Sequence, residues 1–383
     1  MPTAVDLSEE RVSLLVGGRA HDAWNSYRVQ SDLLTPADAW NLKLMMDGGR
    51  VPAAIVSGAA AEIRVGKDRI MQGKLDRVRS RVSKNQVALN IAGRDLAGQL
   101  LDCSAPIIAA QQLTLQEVAT RIIRPLLPDT EVLIDAEAVG SAEKVNVEPG
   151  DTAWDALINA AEANGLWAWF SPTGKLVIGG PDYQEPVVCT LVMRLNGQGN
   201  NVLEFDLDDA ISDSYSEITV LGQSHGGGEH REANAGIKAV WKDPSVTFHR
   251  PKIVVDHEVD SVKSAEERAR KLAMDSRLER WTLTAEVRGH RINAPGEPGH
   301  GKPWMPGMRV QVIDEPHGLE CICFIMATDM SGGKGQRPLT ALTLKEDGVW
   351  IVAAHPHKRR HRRGRNGLPA RVWDIATSPR DEQ

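Results

Sequence analysis

The sequence predicts an α+β chain, mainly β, with two strand-rich units flanking one mixed α/β unit. Three observations carry this. Between residues 63 and 91 apolar side chains alternate with polar ones, at Ile63 and Val65, more loosely at Ile70 and Leu75, and strictly at Val87, Leu89 and Ile91. That pattern belongs to antiparallel strands with one wet face. From residue 101 the period changes, and Leu115, Val118, Ala119 and Ile122 recur at helical spacing. Beyond residue 190 short strand patterns return around a single helical run. A chain of 383 residues exceeds one ordinary core, and about two to three domains are expected.

In chain order, "RVSLLVGGRAHD" and "SYRVQSDLLTP" are short strands broken by Gly or Pro. "AEIRVGKDRIMQGKLDRVRSRVSKNQVALNIAGRD" supplies further strands with turns at "VGKDR" and "SKNQ". Strands at this spacing suggest a small barrel or sandwich. "LTLQEVATRIIRPLLP" is a helix opened by the capping pair Thr114 and Glu117 and stopped by Pro125. In "VNVEPGDTAWDALINAAEANGLWAWFSPTGKLVIGG" a strand and a turn lead to a second capped start at Thr152 and Asp155. Trp154, Leu157, Ile158 and Ala161 share one helical face, and Gly165 ends the helix. A hairpin then turns through "SPTG". Later, "NNVLEFDLDDAISDSYSEITVLG" begins and ends as strand. "SAEERARKLAMDSRLER" is a helix with Ser264 and Glu267 as its capping pair. "WTLTAEVRGH", "MPGMRVQVID", "LECICFIMATDMS" and "PLTALTLKED" complete the second strand-rich unit.

Hydrophobic content of 42% and charged content of 25% are those of a globular chain. No apolar run approaches the ~20 residues of a membrane helix, so stable membrane insertion is not expected. Nor does "MPTAVDLSEERVSLLVGG" have the basic start and cleavage site of a secretory signal. Cys103, Cys189, Cys321 and Cys323 read as buried strand thiols without a disulfide framework, which fits a reducing compartment. The net charge is −6. Residues 354–383 hold eight Lys/Arg against three Asp/Glu, leaving 37 against 48 in residues 1–353, a net of −11. An acidic body with a disordered basic tail is not the footprint of a nucleic-acid-binding fold. The tail run Lys358, Arg359, Arg360, Arg362, Arg363 and Arg365 could neutralise phosphates or dock on an acidic neighbour.

Motifs that carry chemistry are few. "HGGGEH" (225–230) has the look of an oxyanion loop, but no G-x-S-x-G elbow accompanies it. His225, Glu229 and His230 could ligate a metal, yet a Gly-rich loop holds ligands poorly. It reads as a surface loop. There is no P-loop and no dinucleotide fingerprint. "EFDLDDAISD" reads as a solvated edge or protein interface, although a glycosidase-type carboxylate pair has no local spacing rule. Trp154, Trp167, Trp169 and Phe170 could stack on a sugar. Core packing suits them better, with Trp167 and Trp169 on one strand face and at least one of them partly exposed. Catalytic, cofactor and metal residues are therefore expected to be none.

"VNVEPGDTAWDAL" resembles the start of a LysM peptidoglycan-binding module at Pro149, Gly150, Asp151 and Thr152, but the chain continues into a hairpin instead of a second helix. A broader resemblance covers about residues 5–350. The motif over Gly150–Gly179, "A-E-x-R-A" at 265–269 and Pro306-Gly307 resemble the baseplate hub proteins of contractile phage tails, closest to the phage Mu hub and related to the N-terminal hub part of VgrG spike proteins. The resemblance implies two small β-barrel domains flanking an α/β insert. The first spans residues 1–100, completed by about 200–222. The insert spans 101–190, the second barrel 191–353 with one helix at about 264–280, and the tail 354–383. It also implies a non-enzymatic virion protein, assembled in the host cytoplasm. Its homotrimer would join a sixfold tail tube to a threefold central spike, beside other baseplate proteins, and leave a channel for DNA. The alternative is a cell-wall-binding or cell-wall-degrading tail protein.

Overall fold

Alternate burial organises the first half of the chain. The computed structural model describes residues 9–46, 50–84, 86–106, 114–134, 150–162, 165–222, 237–256, 259 and 262–351. Seven strands come first: β1 (Val12–Val16), β2 (Arg19–His21), β3 (Ser26–Asp32), β4 (Ala39–Met46), β5 (Ala60–Val65), β6 (Asp68–Ser83) and β7 (Gln86–Asp95). Ile63, Val65, Leu75, Leu89 and Ile91 all turn inward, as their period-two spacing predicts. All these strands pair antiparallel with their neighbours, in the order β3-β4-β7-β6-β5-β1-β2.

The insert follows as α1 (Ala97–Asp102), α2 (Leu115–Ile123), β8 (Val132–Ile134), α3 (Ala153–Glu162), β9 (Trp167–Phe170) and β10 (Leu176–Gly179). Its three strands lie in the order β8-β10-β9 and share a core with the helices, among it Ile122, Trp154, Leu157 and Leu176. Both predicted caps form. The Glu117 amide donates to Thr114 Oγ1 at 3.3 Å, while the Thr114 amide donates to Glu117 Oε2 at 2.8 Å. The Asp155 amide donates to Thr152 Oγ1 at 3.0 Å. Gly165 has a φ of +71°, the left-handed conformation its place after α3 requires. The hairpin turn closes from the Gly174 amide to the Ser171 carbonyl at 2.9 Å. The predicted "VNV" strand lies outside the described residues.

The remaining strands are β11 (Val187–Met193), β12 (Val202–Asp209), β13 (Glu217–Gly222), β14 (Lys238–Lys242), β15 (Pro251–Asp256), β16 (Trp281–Arg288), β17 (Arg309–Asp314), β18 (Leu319–Gly333) and β19 (Gln336–Glu346), with helix α4 (Val262–Arg280). Long β18 joins the two halves. Its first part pairs with β17, and residues 327–332 pair with β3. Strands β1–β7 of the first half thereby join β11, β12 and β16–β19 of the second in one 13-stranded sheet. One apolar cluster runs through it, from Val12, Leu14 and Ile63 to Leu283, Val312 and Leu344.

Three expectations are corrected. Residues 200–222 do not complete the first strand unit, since β12 pairs with β16 and β13 with β14 and β15. Within 191–353, β13, β14 and β15 form their own sheet, and Val220, Ala239, Ala265 and Ala269 make a separate core under α4. Helix α4 begins at Val262, which places Ser264 inside the helix and not at its cap.

The close approach of β7 and β4 depends on Gly93. A Cβ there would lie 2.3 Å from both the Trp40 ring and the Lys74 carbonyl oxygen. Gly93→Ala is expected to cost roughly 3 kcal/mol by overpacking, read as a lowered urea midpoint with an unchanged slope.

Candidate functional site

The chemistry-bearing side chains gather where the units meet. Trp167 leaves the insert to donate its indole N–H to the Leu33 carbonyl at 2.8 Å. It packs against the cluster of Leu278, Phe324, Met326, Val349 and Trp350. Arg94 of β7 holds Asp76 at 2.6 Å and Asp102 of α1 at 2.5 Å, and this guanidinium keeps the Asp102 carboxyl below its usual range. Trp169 lines a small cleft with Asp38, Asp95, Pro172, Met305 and Pro306. Burial pushes Asp38 up to about 6 and raises Asp95 as well, with Asp38 adding to the effect. Both oxygens of Asp38 already accept hydrogen bonds, from Ser31 Oγ at 2.5 Å and the Asp32 amide at 2.9 Å. Asp95 accepts from the Ala97 amide at 3.0 Å, at the start of α1. These carboxylates are committed to local backbone geometry.

A second polar cluster ties the chain's beginning to its last third. Thr340 Oγ1 donates to the Gly289 carbonyl at 2.8 Å, so its oxygen is free to accept from His290 Nδ1 at 2.9 Å. His290 Nε2 then accepts the Tyr27 hydroxyl at 2.8 Å. The His290 amide donates to the Glu10 carboxylate. Beside it, Arg291 donates to the carbonyls of Glu9 at 3.0 Å, Gly301 at 2.7 Å and Val65 at 2.7 Å, and pairs with Asp68 at 2.7 Å. Burial depresses His290 to about 4 and raises Tyr27 and Glu10. A neutral imidazole with both nitrogens occupied is a structural link and has no free base to offer.

The wet face of the large sheet carries the exposed charge. Register aligns Arg77 with Ala92, Asn41 and Arg28, and aligns Asp329 with Ala341, Glu286 and Glu204. Arg28 and Asp329 form a bidentate pair in the middle of this face.

The structure places the sequence candidates as follows. Trp154 is buried, and Trp167 and Trp169 are half-buried on the strand face opposite Ala168 and Phe170. All four cysteines are free thiols, with Cys189 and Cys323 buried and Cys103 and Cys321 only partly so. His225, Glu229, His230 and the basic run 358–365 lie outside the described residues. Among the described residues no helix is long and apolar enough to cross a membrane, and no group of His, Cys, Asp and Glu could hold a metal ion. The His290 cluster escaped sequence reading because its members are spread from Glu10 to Thr340. Period two alone hints at it, since it brings Tyr27 and Val29 to the core side of their strands.

Comparison with known proteins gives this architecture a class. Residues 11–95 match the N-terminal model of Mu phage baseplate assembly protein GpP-like chains, and 97–180 match the second domain of baseplate hub protein gp44-like chains. Residues 214–273 match the third domain of NMB1110-like tail proteins, and 275–349 match a tail protein C-terminal domain. The tail protein of Neisseria meningitidis MC58 is 35% identical, with a TM-score of 0.76 over 90% of this chain and 98% of that one. The 43 kDa tail protein of prophage MuSo2 from Shewanella oneidensis is 22% identical, with a TM-score of 0.77 over 89% and 99%. Baseplate hub protein gp44 of Escherichia phage Mu is 24% identical over 95% of each chain. These matches define a structural protein of a phage tail. More particularly, the chain belongs to the Mu-type family of baseplate hub and tail proteins.

The His290 cluster sets a pH dependence. A folded pKa below the unfolded ~6.5 means that the unfolded chain takes up the proton first, so this contribution is complete above ~6.5 and declines as pH falls toward the folded value of about 4. Asp38, raised to about 6, acts in the opposite direction over an overlapping range. The comparison must therefore be between variants. The stability advantage of the natural chain over His290→Gln should shrink by about 3 kcal/mol between pH 7 and pH 4, measured by urea unfolding at each pH.

Proposed function

We propose that this chain is the homotrimeric baseplate hub of a contractile tail, joining the sixfold tail tube to the threefold spike. It would take its place among other baseplate proteins after assembly in the host cytoplasm. The supporting observation is collinearity with a baseplate hub along 95% of both chains. Residues 1–100 are read as the first hub domain, 101–190 as the α/β insert and 191–353 as the second hub domain. The β13–β15 sheet and α4 are an excursion from the second, and the basic tail follows it. Three chains with two strand-rich halves each offer six comparable surfaces to a sixfold tube and three identical ones to a spike. The net charge of −11 over residues 1–353 would repel phosphates, so that DNA could pass the ring's centre without sticking.

Light scattering on the purified full chain tests this reading. A mass of three chains, stable on dilution, is expected. A monomer at every concentration and salt level would overturn it.

A further inference from the structure

Among the described residues, β6 and β12 each present a long strand edge of the large sheet without a partner. Strand β6 pairs with β5 only as far as Lys74; from Asp76 to Ser83 it pairs with β7 alone. Beyond β7, β4, β3, β18, β19 and β16, at one end of the sheet, β12 pairs among the described residues with β16 alone, over a run of the same eight residues' length. The two edges carry opposite charge on the same wet face. Arg77, Arg79 and Arg81 are exposed on β6, and Glu204, Asp206 and Asp208 are exposed on β12. Of these, Arg77, Arg79, Arg81, Glu204 and Asp206 have no ion-pair partner among the described residues. Glu204 stands directly opposite Glu286, a like-charge pair that weakens the isolated sheet.

The other face of each edge is apolar and incompletely covered. Val78 and Val82 lie on β6, with Val82 73% exposed; Leu203, Phe205 and Leu207 lie on β12, with Leu203 39% exposed. Charged residues commonly guard an edge against stray pairing. A mere guard, however, does not require three cations at one end, three anions at the other, and apolar side chains behind both.

We infer that β6 (residues 76–83) of one copy lies edge to edge with β12 of the next, carrying the sheet from subunit to subunit around the ring. Arginines then meet carboxylates on the wet face, and Val78 and Val82 meet Leu203, Phe205 and Leu207 on the core side. The contact is head-to-tail, which is the kind that closes into rings. The inference rests on the trimeric reading above and names the surfaces that make the trimer.

Charge reversal tests it. One variant carries Arg77→Glu, Arg79→Glu and Arg81→Glu. A second carries Glu204→Lys, Asp206→Lys and Asp208→Lys, and a third carries all six. Each single-end variant should need a protein concentration at least about tenfold higher for half-assembly, and the six-fold swap should restore the trimer. Thermal melts establish that each variant folds. A natural chain that stays monomeric overturns both the trimer and this contact. A trimeric natural chain with equally trimeric single-end variants overturns the contact alone. So does a folded swap variant that fails to reassemble.

Discussion

Arg28 and Asp329 are 301 positions apart in the chain, yet they lie on adjacent strands. The ladder that brings them together, β3 against β18, is the one on which the other arrangements depend. It fuses two strand-rich halves into one sheet, buries a single apolar cluster on one side and leaves a continuous charged face on the other. Without it the Arg28–Asp329 pair would not form, Tyr27 would lose His290, and the cluster receiving Trp167 would lose Leu33. Contacts at such separation require most of the chain to be made before they can form. They also incur a large closure entropy before any of it is returned.

The polar cluster beneath the ladder shows how this closure is made specific. His290 is sequestered as a neutral ring, one nitrogen donating to Thr340 and the other accepting from Tyr27. Arg291 spends its guanidinium on three carbonyls and Asp68. Buried polar groups of this kind contribute little net stability when satisfied but cost several kcal/mol when one partner is missing. They therefore penalise wrong arrangements more than they stabilise the right one.

Sequence reading reached the elements whose cause is local. Alternation placed Ile63, Val65, Leu89 and Ile91 inside because a strand sends successive side chains to opposite faces. Thr114 with Glu117, and Thr152 with Asp155, marked helix starts because a hydroxyl three residues before an amide can cap it. It failed where the cause is remote. Helix α1 is one short turn-and-a-half held by the Asp95 side chain, too brief for a period to show. The Ser264–Glu267 spacing mimicked a cap inside α4, where Ala265 and Ala269 share a core with the small sheet and the helix already begins at Val262. Strand partners are invisible to alternation altogether. Nothing local in "VLEFDLDD" distinguishes pairing with β16 from a return to the first unit. Likewise, the Trp face of β9 was legible, while its docking on Leu33 and Trp350 was not.

A sheet built on alternation has a weakness that the polar contacts address. Sliding β3 along β18 by two residues would keep every apolar side chain on the buried face, since the period is two. Hydrophobic burial alone thus cannot choose between registers that differ by an even number. The slip would, however, pull the Tyr27 hydroxyl from His290 in either direction, leaving a buried imidazole without its donor, and in the direction that sets Arg28 opposite Gly333 it would also carry Arg28 away from Asp329. Arg28–Asp329 opposes one direction of slip from the wet side, and Tyr27–His290–Thr340 opposes both from the core side. Two unlike interactions on opposite faces of one ladder hold it to a single alignment. A ring part needs such alignment, because any edge presented to a neighbouring copy inherits its position from the strands behind it.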